Sequence, residues 1–438
     1  MRKEMLRVNN EPISKREILI SFFLFITFAF CKAGALIKGA PITISTVLCA
    51  AVVLCMLPEL IRYARAYIGI STYYCIYVLF VLLNTILHIG QLPLKGYLYA
   101  LVVAASPLMY VIGLNIKYDK CMKILCVSGM IVGLYSIAQW LFGLSLTTIP
   151  GITLAFGDAW TNKPIGYRVA VLHESTKMPS TTQNGNNVAL LAILGIGALL
   201  CWYPKEKWRY AKFVSVGLFV TALVLSGSRS ACYPYAVLVP FGIYGLVKQY
   251  KDLDVKWKKR QLLLCLSFFC VFLIVLLNTP QLTMIRPVGI QEEQQTEQQT
   301  EYQTSDLPQE TSRLFQSIGT MSGRKIAWQN MWNTLHHNYK LAQKMRVFFI
   351  GAAGSDMFMG GEGFPLFVSQ YGFVSALLFM GLFLPLLRLF SDYPLFVWSG
   401  LAFAGALTVD SSYNYPPILI WFFLLLGVMT SHMRGMKE

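Results

Sequence analysis

The stretch NNVALLAILGIGALLCWY, running from Asn186 to Tyr203, decides the fold class of this chain. From Val188 to Trp202 it carries no charged side chain, so every face of a helix built from it would be apolar. A run of this length is long enough for a membrane-spanning helix. The apolar residues are continuous and do not alternate with polar ones, which argues against a strand of an outer-membrane barrel.

Similar runs recur along all 438 residues, of which 55% are hydrophobic and only 13% charged. A soluble domain of this length would carry about a quarter charged residues. The composition therefore predicts an all-α polytopic membrane protein with about twelve transmembrane helices, because helices satisfy their own backbone in lipid. The predicted spans are residues 18–36, 42–60, 67–89, 97–115, 121–143, 186–203, 212–227, 231–248, 261–278, 364–388, 393–409 and 416–432.

Basic residues are distributed unevenly among the connectors between these spans. One alternating set, which includes both ends of the chain, carries 23 lysines and arginines, whereas the opposite set of short connectors carries four. Cytoplasmic connectors hold the excess of basic residues, so both termini are expected in the cytoplasm. The net charge of +16 is then explained by the basic residues of the cytoplasmic connectors, which indicate the orientation of the chain in the membrane. We therefore expect no nucleic-acid partner.

Two long connectors fall on the outer side of this topology. Residues 1–277 would form helices one to nine with an external loop at 145–185, residues 278–363 a large external loop, and residues 364–438 helices ten to twelve. Inside the large loop, residues 291–311 are rich in Gln, Glu and Thr, which predicts a disordered linker. Residues 322–344 carry one apolar stripe with basic flanks, which predicts a helix lying on the membrane surface. The stripe consists of Trp328, Met331, Trp332, Leu335 and Tyr339.

Motifs for metals and nucleotides are missing from the sequence. All ten cysteines lie in or beside apolar runs without a CxxC pair, so they are expected to be buried apolar side chains. His336 and His337 are adjacent and would point to different faces of a helix. Asp252 and Asp254 lie among lysines and are interpreted as a solvated charge run. With no P-loop or dinucleotide motif either, we expect no metal and no cofactor.

External arginines and carboxylates remain as candidates for chemistry. Arg229 lies in a short connector between two apolar helices, where a charge either faces a polar cavity or snorkels to the interface. Arg168 and Arg324 lie in the two long loops, where a solvated loop charge is the alternative. Guanidinium groups hold phosphate bidentately, and a carboxylate such as Asp356 or Glu362 could accept a proton from an attacking hydroxyl. Asp410 at the last external turn is expected to be a helix cap.

Several of these motifs, in this order, resemble the O-antigen ligase and Wzy-type O-antigen polymerase superfamily. Ser-Gly-Ser-Arg-Ser-Ala at 226–231 is similar to the Ser-Arg-Ser-Ala signature of this superfamily. A second similarity is Ser-Gly-Arg at 322–324, which is followed by Ile-Ala-Trp at 326–328 and then by a Phe-Ile-Gly-x-x-Gly turn. The position of Arg168, ahead of the Asn-rich start of a predicted span, is also similar to this superfamily. The resemblance covers residues 165–432.

The resemblance implies metal-independent, inverting glycosyl transfer at the outer face of a bacterial cell (inner) membrane. The donor would be a polyprenyl-pyrophosphate-linked oligosaccharide, with Arg168, Arg229 and Arg324 at its pyrophosphate. A flippase, a chain-length regulator and membrane lipid are the partners that this implies.

One departure bears on the type of transfer. Ligases of this superfamily carry a His-Asn pair about eleven residues before a Gly, whereas counting back from Gly372 reaches Gly361-Glu362. This favours a polymerase, with Glu362 or Asp356 as the candidate base. The alternatives are a ligase that passes polymer to a lipid or wall acceptor, and a transporter or flippase without chemistry.

Overall fold

The computed structural model describes most of the helical part of the chain. It covers residues 15–37, 40–87, 89–90, 94–149, 151–153, 178–182, 184–204, 206–249, 340–351, 363–410 and 415–437, with separate residues at 263, 266–267, 269–270, 329, 333, 336 and 413.

The described residues before the first long loop form eight helices and one hairpin. They are α1 (Lys15–Ala29), β1 (Gly34–Ile37), β2 (Ala40–Thr43), α2 (Ile44–Cys55), α3 (Leu57–Ala66), α4 (Ile68–Leu87), α5 (Leu94–Ala105), α6 (Leu108–Leu114), α7 (Tyr118–Phe142) and α8 (Leu144–Thr147). The strands pair antiparallel, with Gly34 opposite Thr43.

The remaining described elements are helical. They are a 3-10 turn (Ser180–Thr182), α9 (Gly185–Leu200), α10 (Glu206–Leu225), α11 (Arg229–Gln249), α12 (Leu341–Ile350), α13 (Gly363–Gly381), a 3-10 helix (Leu384–Leu389), α14 (Pro394–Val409) and α15 (Pro416–Lys437).

Helices α9 and α15 form the centre of the bundle. Nearly every residue of α9 is buried, as the absence of charge from its sequence requires. It packs against α10, α14 and α15. Helix α15 also packs closely on α6, where glycines replace side chains at the contact: a Cβ added to Gly113 or Gly427 would overlap the backbone of the facing helix. Small residues of this kind let membrane helices approach closely.

By length and composition, five of the described helices could cross a membrane, and seven could do so if each of two bent pairs counts as one span. The bent pairs are α2 with α3, at 62°, and α5 with α6, at 42°. Helices α9 and α14 are apolar but have only 16 residues each. The chain is therefore a predominantly helical protein with several membrane-type helices.

The sequence predicted straight spans where the structure has breaks, and proline explains three of them. Pro58 follows the break between α2 and α3, Pro107 lies between α5 and α6, and Pro385 begins the 3-10 helix after α13. Proline cannot donate the backbone hydrogen bond that a continuous helix needs. The all-α prediction also missed the β1–β2 hairpin, because the first predicted span, 18–36, ran through a helix that ends at Ala29.

Contacts near the helix ends identify the two ends of the bundle. At the end that we call the Asp410 end, Gly34 N–H donates to Gly151 O at 2.9 Å and Met178 N–H to Leu225 O at 2.9 Å. At the opposite end, called the His432 end, the His432 ring stacks on Tyr118 with centroids 3.8 Å apart. Asn186 at the start of α9 contacts Asp410 at the end of α14, and Gly363 at the start of α13 lies against Thr408 of α14. These helix ends, together with the start of α11 four residues after Leu225, lie at the Asp410 end.

Candidate functional site

Four of the five site residues predicted from the sequence, Arg168, Arg324, Asp356 and Glu362, lie outside the described residues. Most of the large external loop predicted at 278–363, including all of its linker at 291–311, and most of the surface helix predicted at 322–344 lie outside them too. At the end of that stretch, Lys340 is not helical, and its backbone N–H donates to Gln343 Oε1 at 2.9 Å at the start of α12. Helix α12 therefore overlaps the predicted surface helix only at 341–344.

Arg229, the fifth predicted residue, is the first residue of α11. A tight buried turn precedes it: Ser226 Oγ donates to Leu223 O at 2.6 Å, and the backbone N–H of Ser228 donates back to Ser226 Oγ at 3.2 Å. Gly227 takes a φ of +59° inside this turn, a conformation that glycine adopts without strain.

The packing of α11 on α14 fixes the level of Arg229 along the bundle. A Cβ added to Gly245 would lie 2.8 Å from Pro394 Cβ, and one added to Gly405 would lie 3.7 Å from Pro234 Cβ. The two helices therefore run antiparallel, and the same register continued to the start of α11 brings the backbone of Arg229 level with Asp410.

Asp410 is a buried carboxylate that links two helices. It lies at the C-terminal end of α14 and is 7% exposed. Its Oδ2 accepts a hydrogen bond from Asn186 Nδ2 in the first turn of α9, 224 residues away in sequence. A carboxylate gains nothing from a helix C-terminus, where the dipole is negative. Asp410 is the C-cap residue of α14, as expected, through its backbone N–H, which donates to Ala406 O at 3.0 Å, and its carboxylate in addition ties α14 to α9.

Lys32 is a second buried charge at this end. It is 7% exposed, follows α1, and its Nζ lies 3.7 Å from the centre of the Tyr415 ring. Tyr415 and Asp410 flank the same connector between α14 and α15. A cation held on an aromatic face is attracted by the ring quadrupole, which offsets part of its desolvation cost. Burial of both signs of charge at one end of an apolar bundle marks a polar site and is unusual for plain packing.

Amide side chains extend this polar layer toward α4 and α13. Asn84 of α4 is fully buried, and its Nδ2 donates to the backbone oxygen of Gln370. Gln370 Oε1 in turn accepts a hydrogen bond from the Tyr413 hydroxyl at 3.2 Å. Helix α13 is broken just beyond, at Gly372, where φ is +83°.

Helix α12 crosses this break in α13. The Phe348 ring stacks on Phe373 with centroids 4.7 Å apart. Gly351, which ends α12, lies so close to Gln370 and Asn84 that an added Cβ would lie 2.5 Å from Gln370 O and 2.7 Å from Asn84 Nδ2. The backbone of α12 therefore closes one side of the amide layer.

The short segment 178–182 packs on α7 and α9. Ser180 N–H donates to Gln139 Oε1 at 2.7 Å, and Ser180 Oγ donates to Val132 O at 2.7 Å, which anchors the segment on α7. Thr181 Oγ1 and Asn187 Oδ1 are buried, and neither has a hydrogen-bond partner among the described residues. Because an unpaired buried polar atom is costly, a polar ligand that reached these two atoms would relieve that cost.

We call this set of buried and half-buried residues the polar layer. Its members are Lys32, Asn84, Thr181, Asn186, Asn187, Gln370, Asp410, Tyr413 and Tyr415. It offers one carboxylate, one ammonium group and several amides in a place shielded from water, which suits the binding of a polar or charged ligand. Within the described ranges, no three His, Cys, Asp or Glu side chains cluster as metal ligands would.

Sequence analysis assigned no functional role to Lys32, Asn84 or Gln370. The available signal was an amide in the middle of a predicted span: Asn84 within 67–89 and Gln370 within 364–388. Polar side chains of this kind inside membrane segments face the interior of the bundle or line a pathway for a substrate or an ion.

In comparisons with known proteins, no family model matches this chain and no curated protein matches its sequence.

Proposed function

We propose that this chain is a polymerase of polyprenyl-pyrophosphate-linked oligosaccharide repeat units, a metal-independent glycosyltransferase of the bacterial cell membrane. The observation that carries the proposal is the polar layer, together with the register that brings Arg229 level with Asp410. A lipid-linked donor needs a polar, water-shielded site for its pyrophosphate and sugars beside an apolar path for its lipid. A polar layer at one end of membrane-type helices fits that requirement.

The proposed topology has about twelve spans, both termini in the cytoplasm and the Asp410 end on the outer side. Exposed basic residues of the His432 end support this orientation under the positive-inside bias. Those described as exposed are Arg62, Arg65, Lys117, Lys207 and Arg388.

In the proposed reaction, the glycosidic bond to the pyrophosphate breaks as the acceptor hydroxyl attacks the anomeric carbon. Arg229, with Arg168 and Arg324 from the external loops, neutralises the departing pyrophosphate, and guanidinium groups in a water-shielded site do this without a metal. A carboxylate takes the hydroxyl proton. Glu362 and Asp356 remain candidates for that role from the sequence, and Asp410 joins them because it is a buried carboxylate of the polar layer.

The deciding experiment uses the purified chain in phosphatidylcholine vesicles with a synthetic polyprenyl-pyrophosphate repeat, without nucleotide or ion gradient. We expect longer glycans on the polyprenyl carrier, seen as a ladder in electrophoresis or mass spectrometry. Transfer only to an added non-polyprenyl acceptor would instead identify a ligase. Movement of the substrate across the vesicle without any elongation would identify a transporter.

Replacing Asp410 by Asn tests the part played by the polar layer in this reaction. The substitution keeps the shape of the side chain but removes its charge, and we expect elongation to slow about 100-fold, as for loss of an acid–base or charge-stabilising group. The measurement is the initial elongation rate at saturating substrate. Asp392→Asn at the His432 end, where the side chain accepts a hydrogen bond from Ser391 at 3.1 Å, is the matched control and should leave the rate unchanged. Equal rates in the two variants would remove Asp410 from the site.

A further inference from the structure

We propose that the His432 end carries a binding site for the phosphate headgroup of an anionic glycerophospholipid. The site is formed by α3, by the 3-10 helix Leu384–Leu389 and by the C-terminal end of α15. It is separate from the polar layer, and it does not depend on the proposed glycosyl transfer.

Helix α3 has the character of a helix that lies along the membrane surface. The chain bends by 62° at the break before it, and none of its residues is buried. Arg16 holds the bend: its Nη1 lies 2.6 Å from Glu59 Oε1, and its Nε donates to Met56 Sδ at 3.2 Å. Beyond the bend, α3 exposes apolar side chains and arginines together, as helices at a lipid–water boundary do. The exposed residues are Leu57, Ile61, Arg62 and Arg65.

Arg434, near the end of α15, contacts the tyrosine that follows α3. Its guanidinium carbon lies 5.7 Å from the centre of the Tyr67 ring, and its Nη1 donates to the Tyr67 hydroxyl at 3.3 Å. Arg388 lies in the 3-10 helix, and Tyr393, five residues further on, makes a hydrogen bond with His432 of α15. Arg388, Tyr67 and Arg434 thus lie at the same end of the bundle.

The positive-inside bias explains why basic residues occur at this end, but it does not explain their convergence from three separate elements. Among the ion pairs of the described residues, none involves Arg388 or Arg434. Glu59, the carboxylate within α3, is engaged by Arg16. Guanidinium groups gathered at one end of the bundle repel each other unless an anion offsets their charge, and one phosphate group can accept hydrogen bonds from two of them.

Exposed apolar side chains beside the arginines identify the anion as a lipid. In the 3-10 helix, Leu384 is 61% exposed and Leu387 is 54% exposed, next to the exposed Arg388. Ile61 on α3 is 44% exposed. A free phosphate would leave these side chains uncovered, whereas acyl chains would cover them while the headgroup meets the arginines. Basic pockets between membrane helices on the cytoplasmic side bind anionic headgroups in this way.

The test is a lipid titration of the purified full chain in a neutral detergent, read as the midpoint of thermal unfolding. A ligand that binds only the folded state raises this midpoint as its concentration increases. We expect phosphatidylglycerol to raise the midpoint and phosphatidylcholine to leave it unchanged. In the double variant Arg388→Gln with Arg434→Gln, we expect the concentration of phosphatidylglycerol needed for half of the effect to rise about tenfold, since two charge-assisted contacts are lost.

The double variant Lys117→Gln with Lys207→Gln removes the same charge from exposed positions at the same end and should respond to phosphatidylglycerol like the unaltered chain. Three results would overturn the proposal: an equal loss in both double variants, an equal response to both lipids, or an equal shift produced by inorganic phosphate alone. If the double variant of Arg388 and Arg434 fails to fold, the single variant Arg388→Gln, at an exposed side chain, is titrated in its place. The same three results would then overturn the proposal.

Discussion

Arg229→Ala is expected to reduce glycan elongation about 1000-fold while the protein still inserts and folds. Removal of one group that stabilises developing charge in a water-shielded site typically costs two to three orders of magnitude in rate. In the proposed reaction, the charge that develops is on the departing pyrophosphate. Because Arg229 is the first residue of α11, its replacement by Ala does not disturb the interior of that helix.

The measurement for Arg229 is elongation by purified protein in vesicles, with thermal unfolding of the same sample as the check on folding. Lys207→Ala is the matched control, because Lys207 is an exposed cation in the first turn of a membrane-type helix, at the opposite end of the bundle from Arg229. The expected pattern is an intact unfolding midpoint in both variants and loss of elongation only in Arg229→Ala. Full elongation by Arg229→Ala would show that the residue is structural.

Gly372→Ala is expected to have the largest effect on stability. Gly372 adopts a φ of +83° at the break in α13, and a Cβ there would overlap the carbonyl oxygen of Phe349 in α12. With a ψ of 162°, this backbone conformation is essentially restricted to glycine and costs a residue with a side chain about 1–3 kcal/mol, and forcing the backbones apart adds about 1–3 kcal/mol. We therefore expect a loss of about 3 kcal/mol in the free energy of unfolding, together with undocking of α12 from α13.

The measurement for Gly372 is denaturant unfolding in detergent. Gly69→Ala in α4 is the control, because nothing lies within 4 Å of a Cβ added there. That substitution is expected to be neutral or slightly stabilising, since Ala has the higher helix propensity. Equal stability of Gly372→Ala and the unaltered chain would mean that α12 does not dock on α13 as described.

The sequence predicted the helices well where apolar runs are uninterrupted. The span predicted at 121–143 corresponds to α7, Tyr118–Phe142, and that predicted at 186–203 to α9, Gly185–Leu200. Hydropathy alone does not place bends, however, and Pro58 and Pro107 were available as signals that a span is broken there. Twelve spans remain a prediction, since length and composition identify five to seven among the described helices.

The polar layer was harder to predict, because it is assembled from residues far apart in sequence. Asn186 meets Asp410 across 224 residues, and Asn84 meets Gln370 across 286. Each of these side chains alone has an ordinary local explanation, such as a helix start or a cap. Only the packing of α4, α9, α13 and α14 brings them to one end, and no local pattern encodes that packing.

The hydrogen bond from Trp421 Nε1 of α15 to Thr27 O of α1, at 2.7 Å, joins residues 394 positions apart. Helix α15 follows every other described helix in the chain, yet it is the most buried of the five span-length helices. During synthesis, α1, α6 and α9 are therefore made before α15. Until α15 follows, the surfaces of these helices that contact it must be covered by lipid or by the insertion machinery. The bundle closes only when the segment after residue 416 is released, so maturation of the polar layer is a late, post-insertion event.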